Sequence, residues 1–220
     1  MYVSVLLPTK NENEKVLTDL VKRIRTELHG VKYEIVMIDR SISRPHISGV
    51  RVVQQKTNGY GNAIIEGFRA TQGDRVMTMD ADGSHDPKDI MKLIERSKQF
   101  DIVMGSRYSH GSRTGDMAIN ILASRFFCTL ASFVLGLGLK DPMNGFSIIR
   151  KEAFLSSPLN PYGYKIHMEI IFKSKKRGYT ASEVPTTFHK RITGKSNRGF
   201  GFREGIRIIQ YIFELRFGLR

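Results

Sequence analysis

Short β-forming runs alternate with stretches of helical periodicity through the first half of the chain. The first intervening stretch places apolar residues at the three- and four-residue spacing of one helix face, and it ends at Gly30. These apolar positions are Val16, Leu20, Val21, Ile24 and Leu28. The strand-like runs are residues 2–7, 33–38, 50–53, 76–79 and 101–104. This alternation predicts an α/β fold with a Rossmann-like, mostly parallel sheet flanked by helices.

The second half of the chain is less regular. Residues 117–135 predict a long apolar helix, residues 141–150 a turn and a strand, and residues 165–176 a further helix. Residues 179–188 read as an extended segment, whereas the polar, glycine-containing stretch 109–114 predicts a loop. No repeat or low-complexity linker divides the 220 residues, so a single domain with a C-terminal appendage is expected.

Two apolar segments have more than one interpretation. The run 126–139 is shorter than the roughly 20 residues of a spanning helix, so it predicts either core or a membrane-interface helix. In residues 202–217 the apolar side carries Ile206, Ile209, Ile212 and Phe213, with Arg203, Arg207 and Arg216 elsewhere. This pattern is typical of a basic amphipathic helix at an anionic interface, and equally of a terminal helix docked on the sheet.

Composition narrows the class of partner. The chain has 35 Lys and Arg against 21 Asp and Glu, and its net charge is +14. This excess predicts a polyanionic partner: nucleic acid, an anionic membrane surface or a phosphorylated small molecule. No nucleic acid is expected, because no zinc knuckle, helix-turn-helix or aromatic RNA-binding signature is visible. A lone cysteine, Cys128, and no signal peptide before Tyr2 favour a reducing, cytoplasmic location.

The segment 76–87, VMTMDADGSHDP, carries the main candidate chemistry. Its strand delivers Asp80 and Asp82 to the carboxyl end of the sheet, where ligands bind in open α/β folds. Because the two are two residues apart, their side chains share a face of an extended backbone. Hard carboxylate oxygens suit Mg²⁺ or Mn²⁺, which would in turn carry a diphosphate. An ordinary acidic turn at the start of a helix also fits this motif when it is considered alone.

Seven motifs along the chain resemble one known family. They are PTKNE at 8–12, the strand ending at Ile38-Asp39, KTNGYGNA at 56–63, DADGSHDP at 80–87, GSRY at 105–108, NGFSIIRKEAF at 144–154 and EVPTTFHKRITGKSN at 183–197. In this order they resemble the polyprenyl- or dolichyl-phosphate mannosyltransferases, which are family 2 glycosyltransferases of the GT-A fold. The resemblance implies a catalytic domain over residues 1–200. Residues 201–220 would form the basic amphipathic C-terminal helix, either at a membrane interface or docked on the sheet.

The resemblance also implies roles for individual residues. The catalytic set would be Asp82, Arg107 and Ser124, with Arg107 facing the reacting phosphates and Ser124 near the acceptor phosphate. Mg²⁺ or Mn²⁺ would be held by Asp80 and Asp82, with Ser84 as a further ligand. Arg191 would clamp the donor diphosphate. The nucleotide-sugar donor would contact Pro8, Lys10, Glu12, Ile38, Arg40, Asp80, Ala81, Arg107, Arg191 and Asn197.

Four positions depart from the family pattern. Lys10 replaces the usual Tyr, Arg40 a second Asp, Asn120 an Arg, and Asn197 a Lys. Arg40 matters most, because the carboxylate that it replaces normally contacts the nucleoside. The sugar and the base of the donor are therefore open.

The expected function is inverting transfer of a hexosyl group, with mannosyl from GDP-mannose favoured, to a polyprenyl or dolichyl phosphate at the cytosolic face of a membrane. A phosphate acceptor is already largely ionised at neutral pH, since its second pKa is ~6, and needs no general base. A hydroxyl acceptor would need one, and Asp141 is the candidate. One alternative is transfer of another sugar, such as glucose from a UDP donor, to a lipid or glycan. Another is a non-catalytic binder of nucleotide, RNA or anionic lipid.

Overall fold

The computed structural model describes residues 1–115, 118–190 and 202–218. Strands in the described part are β1 (Tyr2–Thr9), β2 (Lys32–Asp39), β3 (Arg51–Gln54), β4 (Arg75–Thr78), β5 (Ile102–Ser106), β6 (Arg113–Thr114), β7 (Ser147–Arg150), β8 (Ala181–Pro185) and β9 (Thr187–Phe188). The α-helices are α1 (Glu14–Glu27), α2 (Tyr60–Ala70), α3 (Ile90–Arg96), α4 (Ala118–Leu135), α5 (Lys151–Leu155), α6 (Ile166–Lys176) and α7 (Phe202–Phe217). Short 3₁₀ turns at Pro87–Asp89 and Gly163–Lys165 lead into α3 and α6.

Seven of these strands form one sheet in the order β3-β2-β1-β4-β7-β5-β8. All neighbouring pairs are parallel except the two that involve β7, which runs antiparallel to β4 and to β5. The predicted mostly parallel α/β fold is therefore confirmed. The predicted loop 109–114 is partly wrong, because β6 lies inside it and pairs with β9 in a second, two-stranded sheet.

The sheet separates two apolar cores. Alternation along β1 sends Leu6 into one core and Val5 and Leu7 into the other, as the period of a strand requires. Helix α1 covers the second core with Leu17, Leu20, Val21 and Ile24. Asn13 caps its N-terminus, because the Asn13 side chain accepts from the backbone N–H of Lys15. Helices α2, α4, α6 and α7 cover the first core with residues that include Phe68, Cys128, Ile170 and Ile212.

Helix α7 packs against α4 and the first core. Its buried residues are Ile208, Tyr211, Ile212 and Leu215. A Cβ at Gly205 would lie 2.9 Å from Cζ of Phe127, so glycine permits the close approach of the two helices. The docked alternative thus describes this helix, while Ile206 and Phe213 of the predicted apolar side stay exposed. No helix within the described ranges is long and apolar enough to cross a bilayer.

Candidate active site

A cavity of about 460 Å³ opens where β1 and β4 end. Strand β1 contributes Pro8 and Thr9, and the turn after β4 contributes residues 80–82. The start of α2 and the 3₁₀ turn before α6 complete the wall. The wall residues are Pro8, Thr9, Lys10, Glu12, Gln55, Asn58, Gly59, Tyr60, Ala63, Asp80, Ala81, Asp82, Gly163 and Tyr164. The cavity therefore lies at the carboxyl ends of parallel strands, as expected for an α/β sheet.

Six of the predicted site residues lie in this wall: Pro8, Lys10, Glu12, Asp80, Ala81 and Asp82. Ile38 and Arg40 are not among the described wall residues. Ile38 is fully buried in the first core, because the alternation of β2 turns its side chain into that layer. The Arg40 guanidinium instead donates to the carbonyls of Gln55 and Lys56, at 3.3 and 3.1 Å. Arg191 and Asn197 lie outside the described residues.

The two aspartates are nearly buried and yet reach the same cavity. Asp80 and Asp82 are 9% and 6% exposed. The Tyr60 hydroxyl donates to Oδ1 of Asp80 at 3.2 Å, and the backbone N–H of Ser84 donates to Oδ1 of Asp82 at 3.0 Å. Gly83, at φ +78°, makes the tight turn that follows. Two carboxylates are thus held in the wall of the cavity.

These carboxylates fit a divalent cation of the Mg²⁺ or Mn²⁺ class. Within the described ranges no group of three or more His, Cys, Asp or Glu side chains is placed to hold a metal ion. A pair is nevertheless a usual protein share, because Mg²⁺ commonly binds through one or two carboxylates, waters and substrate phosphates. Ser84 is fully buried outside the cavity wall, and its Oγ has no hydrogen-bond partner among the described residues.

Beneath the pair, His85 fixes the turn. Its Nδ1 accepts from the backbone N–H of Asp80 at 3.1 Å, so Nε2 carries the proton and donates to Oδ1 of Asn144 at 3.2 Å. The ring stacks on Phe146 at 5.1 Å and meets Phe188 edge-on at 5.5 Å. These contacts give His85 a structural role in presenting Asp80.

Arg107 is placed differently from the expectation that it faces reacting phosphates. Its guanidinium makes a bidentate ion pair with Asp141, at 2.7 and 2.9 Å, and donates to Oγ of Ser124 at 3.4 Å. Burial alone lowers the pKa of Arg107, but the Asp141 carboxylate outweighs burial and raises this pKa above its ordinary value. Asp141 is fully buried and is therefore not available as the general base considered for a hydroxyl acceptor.

Cys128 lies beside this ion pair. Its Sγ is 3.5 Å from Oδ1 of Asp141. Burial and the neighbouring carboxylate raise the pKa of the thiol well above its ordinary value, as befits a core cysteine rather than a nucleophile.

The site residues assigned from the sequence leave out several wall residues, and only some of these lie in a motif that the sequence reveals. Asn58, Gly59 and Tyr60 belong to the glycine-containing turn at the start of α2, where backbone N–H groups favour anions. The turn is braced by the Gln55 amide, which donates to the carbonyl of Gly59 at 2.8 Å. Tyr164 reaches the cavity from a turn that lies about one hundred residues after the start of α2 in sequence. No local pattern marks this residue.

Comparison with known proteins gives consistent findings. The profile of the family described as "Glycosyl transferase family 2" matches residues 4–156. A dolichol-phosphate mannosyltransferase of Pyrococcus furiosus is 38% identical over 212 residues, which cover 89% of this chain and 59% of that protein. Glycosyltransferase AglJ of Haloferax volcanii is 28% identical over 210 residues, covering 92% of this chain and 68% of its own. The chain thus spans less than two thirds of the length of the Pyrococcus protein.

Solved structures show the same architecture. Glucosyl-3-phosphoglycerate synthase from Mycobacterium tuberculosis, in complex with phosphoglyceric acid, has a TM-score of 0.72 at 21% identity and covers 97% of this chain and 79% of its own. The same enzyme with Mn²⁺ and UDP-glucose has a TM-score of 0.71 at 23% identity, covering 98% and 79%. At these identities the likeness establishes the shared fold.

Proposed function

Because the chain belongs to glycosyltransferase family 2 and has its mixed α/β fold, we propose that it transfers a hexosyl group from a nucleotide sugar to a polyprenyl or dolichyl phosphate. One observation carries this proposal: Asp80 and Asp82 lie together in the wall of a cavity at the carboxyl ends of β1 and β4. Pro8 and Glu12, which the family resemblance assigns to the nucleotide, line the same cavity.

The donor site combines acidic and amide-rich walls. Asp80 and Asp82 would hold Mg²⁺ or Mn²⁺, and the start of α2 offers backbone N–H groups to phosphate oxygens. When bound, the cation neutralises negative charge that develops on the leaving diphosphate. The structures of the Mycobacterium enzyme with Mn²⁺ and UDP-glucose support a metal of this class. By family resemblance, the Arg191 side chain would add a further positive charge at the diphosphate.

The acceptor is proposed to be a phosphate. In an inverting transfer, an acceptor phosphate oxygen bonds to the anomeric carbon as the bond from that carbon to the donor diphosphate breaks on the opposite side. A phosphate dianion needs no base, and Asp141 is committed to Arg107. The Pyrococcus relative, named for dolichol phosphate, supports a lipid-borne acceptor and a mannosyl donor.

A second candidate keeps the reaction and changes the donor to UDP-glucose. Arg40 stands where the family usually has a carboxylate for the nucleoside, and here it is bound to the carbonyls of residues 55 and 56. Base recognition by this chain would therefore differ from that of the mannosyltransferases. The Mycobacterium structures, solved with UDP and UDP-glucose, make uridine the first alternative to test.

We further propose peripheral association with the anionic cytosolic face of a membrane. Three side chains on one side of α4 are exposed, Leu122, Phe126 and Phe133, and Arg125 lies beside them. Exposed apolar groups flanked by basic residues fit the interface of an anionic bilayer.

The test is release of nucleoside diphosphate by purified protein. GDP-mannose, UDP-glucose and other nucleotide sugars are supplied one at a time with polyprenyl phosphate and Mg²⁺ or Mn²⁺. Asp82→Asn is expected to lower turnover at least a hundredfold, and the matched change at exposed Asp19 on α1, Asp19→Asn, to leave it intact. Absence of release from every donor would contradict the proposal. Binding that responds to salt but not to a chelator would favour the non-catalytic alternative.

A further inference from the structure

Tyr60 spans the cavity wall between α2 and the acidic turn. It is the first residue of α2, and it follows Gly59, which adopts φ +111°. From there its hydroxyl reaches Oδ1 of Asp80 at 3.2 Å. The phenol thus belongs to the wall and also touches one of the two carboxylates assigned to the cation.

A buried histidine stands behind this tyrosine. His167, on α6, is 1% exposed, and its Nε2 lies 3.0 Å from the Tyr60 hydroxyl oxygen. The two ring centroids are 5.8 Å apart. The contact joins residues 107 positions apart in sequence, so α6 supports the wall formed by α2.

The direction of the hydrogen bonds follows from the available protons. An ionised carboxylate only accepts, so the single hydroxyl proton of Tyr60 goes to Asp80. The tyrosine oxygen must then accept from His167, which requires the proton of the imidazole on Nε2. A chain of donation therefore runs from His167 through Tyr60 to Asp80, and each bond polarises the next.

The packing around Tyr60 and Asp80 leaves these hydrogen bonds little freedom. A Cβ at Gly145 would lie 3.0 Å from Oδ1 of Asp80 and 3.0 Å from the Tyr60 oxygen, closer than side chains normally allow. The backbone at Gly145 therefore closes the side of the pair, and the glycine lets the tyrosine and the carboxylate meet there.

We propose that Tyr60 is a positioning residue for Asp80, and that His167 acts through Tyr60. The hydrogen bond fixes the plane of the Asp80 carboxylate, so that its oxygens would be held in one orientation for the cation. This inference rests on the proposed function, and it assigns a role to two residues outside the aspartate motif.

The primary experiment measures Mn²⁺ affinity directly. Free Mn²⁺ is followed by its electron paramagnetic resonance signal during titration of the protein, with and without GDP or UDP. Tyr60→Phe keeps the ring and removes only the hydroxyl, and it is expected to weaken Mn²⁺ binding about tenfold, as loss of an outer partner of a ligand commonly does. The control is Tyr179→Phe, which has a half-buried ring away from the cavity wall and is expected to bind as the unaltered chain does.

The role of His167 is tested by a double-mutant comparison. His167→Leu removes the donor from a buried site, whereas His167→Gln retains an N–H in a side chain of similar reach. The leucine variant is expected to weaken Mn²⁺ binding severalfold and the glutamine variant to recover part of it. In the Tyr60→Phe background, His167→Leu should cause no further loss, because its effect passes through the missing hydroxyl.

Each outcome of these experiments supports or overturns the positioning role of Tyr60 or the route from His167. Unchanged affinity in Tyr60→Phe, with an unchanged melting temperature, overturns the positioning role while the transferase assay can still succeed. Additive losses in the double variant overturn the route from His167 through Tyr60. The protein could also bind Mn²⁺, with an affinity that Tyr60→Phe lowers, and yet release no nucleoside diphosphate from any donor. That result would contradict the proposed function and would still support the positioning role. If the unaltered chain binds no Mn²⁺ under any condition, this inference is wrong.

Discussion

Asp141 shows how strongly a single side chain is set by its surroundings. It is fully buried and accepts three hydrogen bonds from Arg107: from the backbone N–H at 3.0 Å and from the guanidinium at 2.7 and 2.9 Å. The Arg107 side chain is itself only 6% exposed. Removing one member of a buried pair leaves the other charge without compensation, which is the costly way to break such a pair.

We therefore expect Asp141→Asn to lower the free energy of unfolding by about 3–5 kcal/mol, measured by urea denaturation. The matched control is Glu95→Gln, which breaks an exposed pair with Lys98 and should cost no more than ~1 kcal/mol. The double change Arg107→Met with Asp141→Leu should recover much of the loss, because apolar replacement of a whole buried pair is commonly tolerated. Equal losses at positions 141 and 95 would contradict this account.

Local sequence pattern located the two aspartates at the carboxyl end of a strand, where the cavity opens. Asp80 and Asp82 follow β4 and both line one cavity, as expected. The expected extended backbone is wrong, because residues 81 and 82 form a turn and Ala81 lines the cavity as well. The pairing of Arg107 with Asp141 joins residues 34 positions apart, and the contact of Tyr60 with His167 joins residues 107 apart. Such contacts depend on which elements become neighbours, and a local pattern does not contain that information.

The same limit applies to whole elements. The periodicity of α1 and the β-forming runs of β1 and β2 located those elements to within three residues. Insertion of β7 between β4 and β5, antiparallel to both, was not predicted, because strand order is settled by long-range pairing. The five-residue helix α5 also went unpredicted, since it is too short to show a helical period.

Helix α7 offers an element-scale test of how the C-terminal segment is held. The Tyr211 hydroxyl donates to the fully buried Glu169 on α6, which also accepts from Lys173 Nζ at 2.7 Å. Tyr211→Phe preserves the stacking of its ring on Tyr162 but removes this donor. We expect a loss of about 1–3 kcal/mol in the free energy of unfolding, since a buried carboxylate loses a partner.

Chemical denaturation of Tyr211→Phe beside Tyr179→Phe checks this expectation. Tyr179 is half-buried, and its change should leave the unfolding midpoint nearly unaltered. Equal midpoints for the two variants would show that the bond to Glu169 does not help to anchor α7.

At the scale of the whole molecule, several carboxylates make stability depend on pH. Burial raises the pKa of Asp86 and of Asp101, but hydrogen bonds and nearby arginines outweigh burial and lower both from their ordinary 3.8. Hydrogen bonds likewise lower the pKa of Glu34 and of Glu66 from their ordinary 4.5. The unfolded chain therefore takes up protons first as the pH falls, so the stability these groups contribute is present above about pH 5 and is lost progressively in more acidic solution.

Asp101→Asn tests this linkage at one group. Asp101 accepts from the backbone N–H and the hydroxyl of Thr180, both at 2.9 Å, and pairs with Arg150 at 2.9 Å. The variant should be less stable at pH 7 and should lose less stability than the unaltered chain between pH 7 and pH 3, measured by urea midpoints. Asp19→Asn, on the exposed side of α1, should decline in parallel with the unaltered chain. A parallel decline for Asp101→Asn would contradict its lowered pKa.

The last whole-molecule expectation concerns the surface formed by α4. An apolar groove of about 620 Å³ is lined by residues 122–129 of this helix, including Phe126, and the side chain of Phe133 is exposed further along the same helix. The chain as a whole carries a net charge of +14. Apolar insertion and attraction to acidic headgroups act together at such a surface, and salt screens only the second. We therefore expect the protein to sediment with phosphatidylglycerol vesicles, weakly with phosphatidylcholine vesicles, and less in high salt.

Phe133→Ser, at a side chain that is 85% exposed, should reduce sedimentation, whereas Ile42→Ser, at one that is 99% exposed in the loop after β2, should not. If the Phe133→Ser variant sedimented as well as the Ile42→Ser variant, binding would follow net charge alone and α4 would not enter the interface.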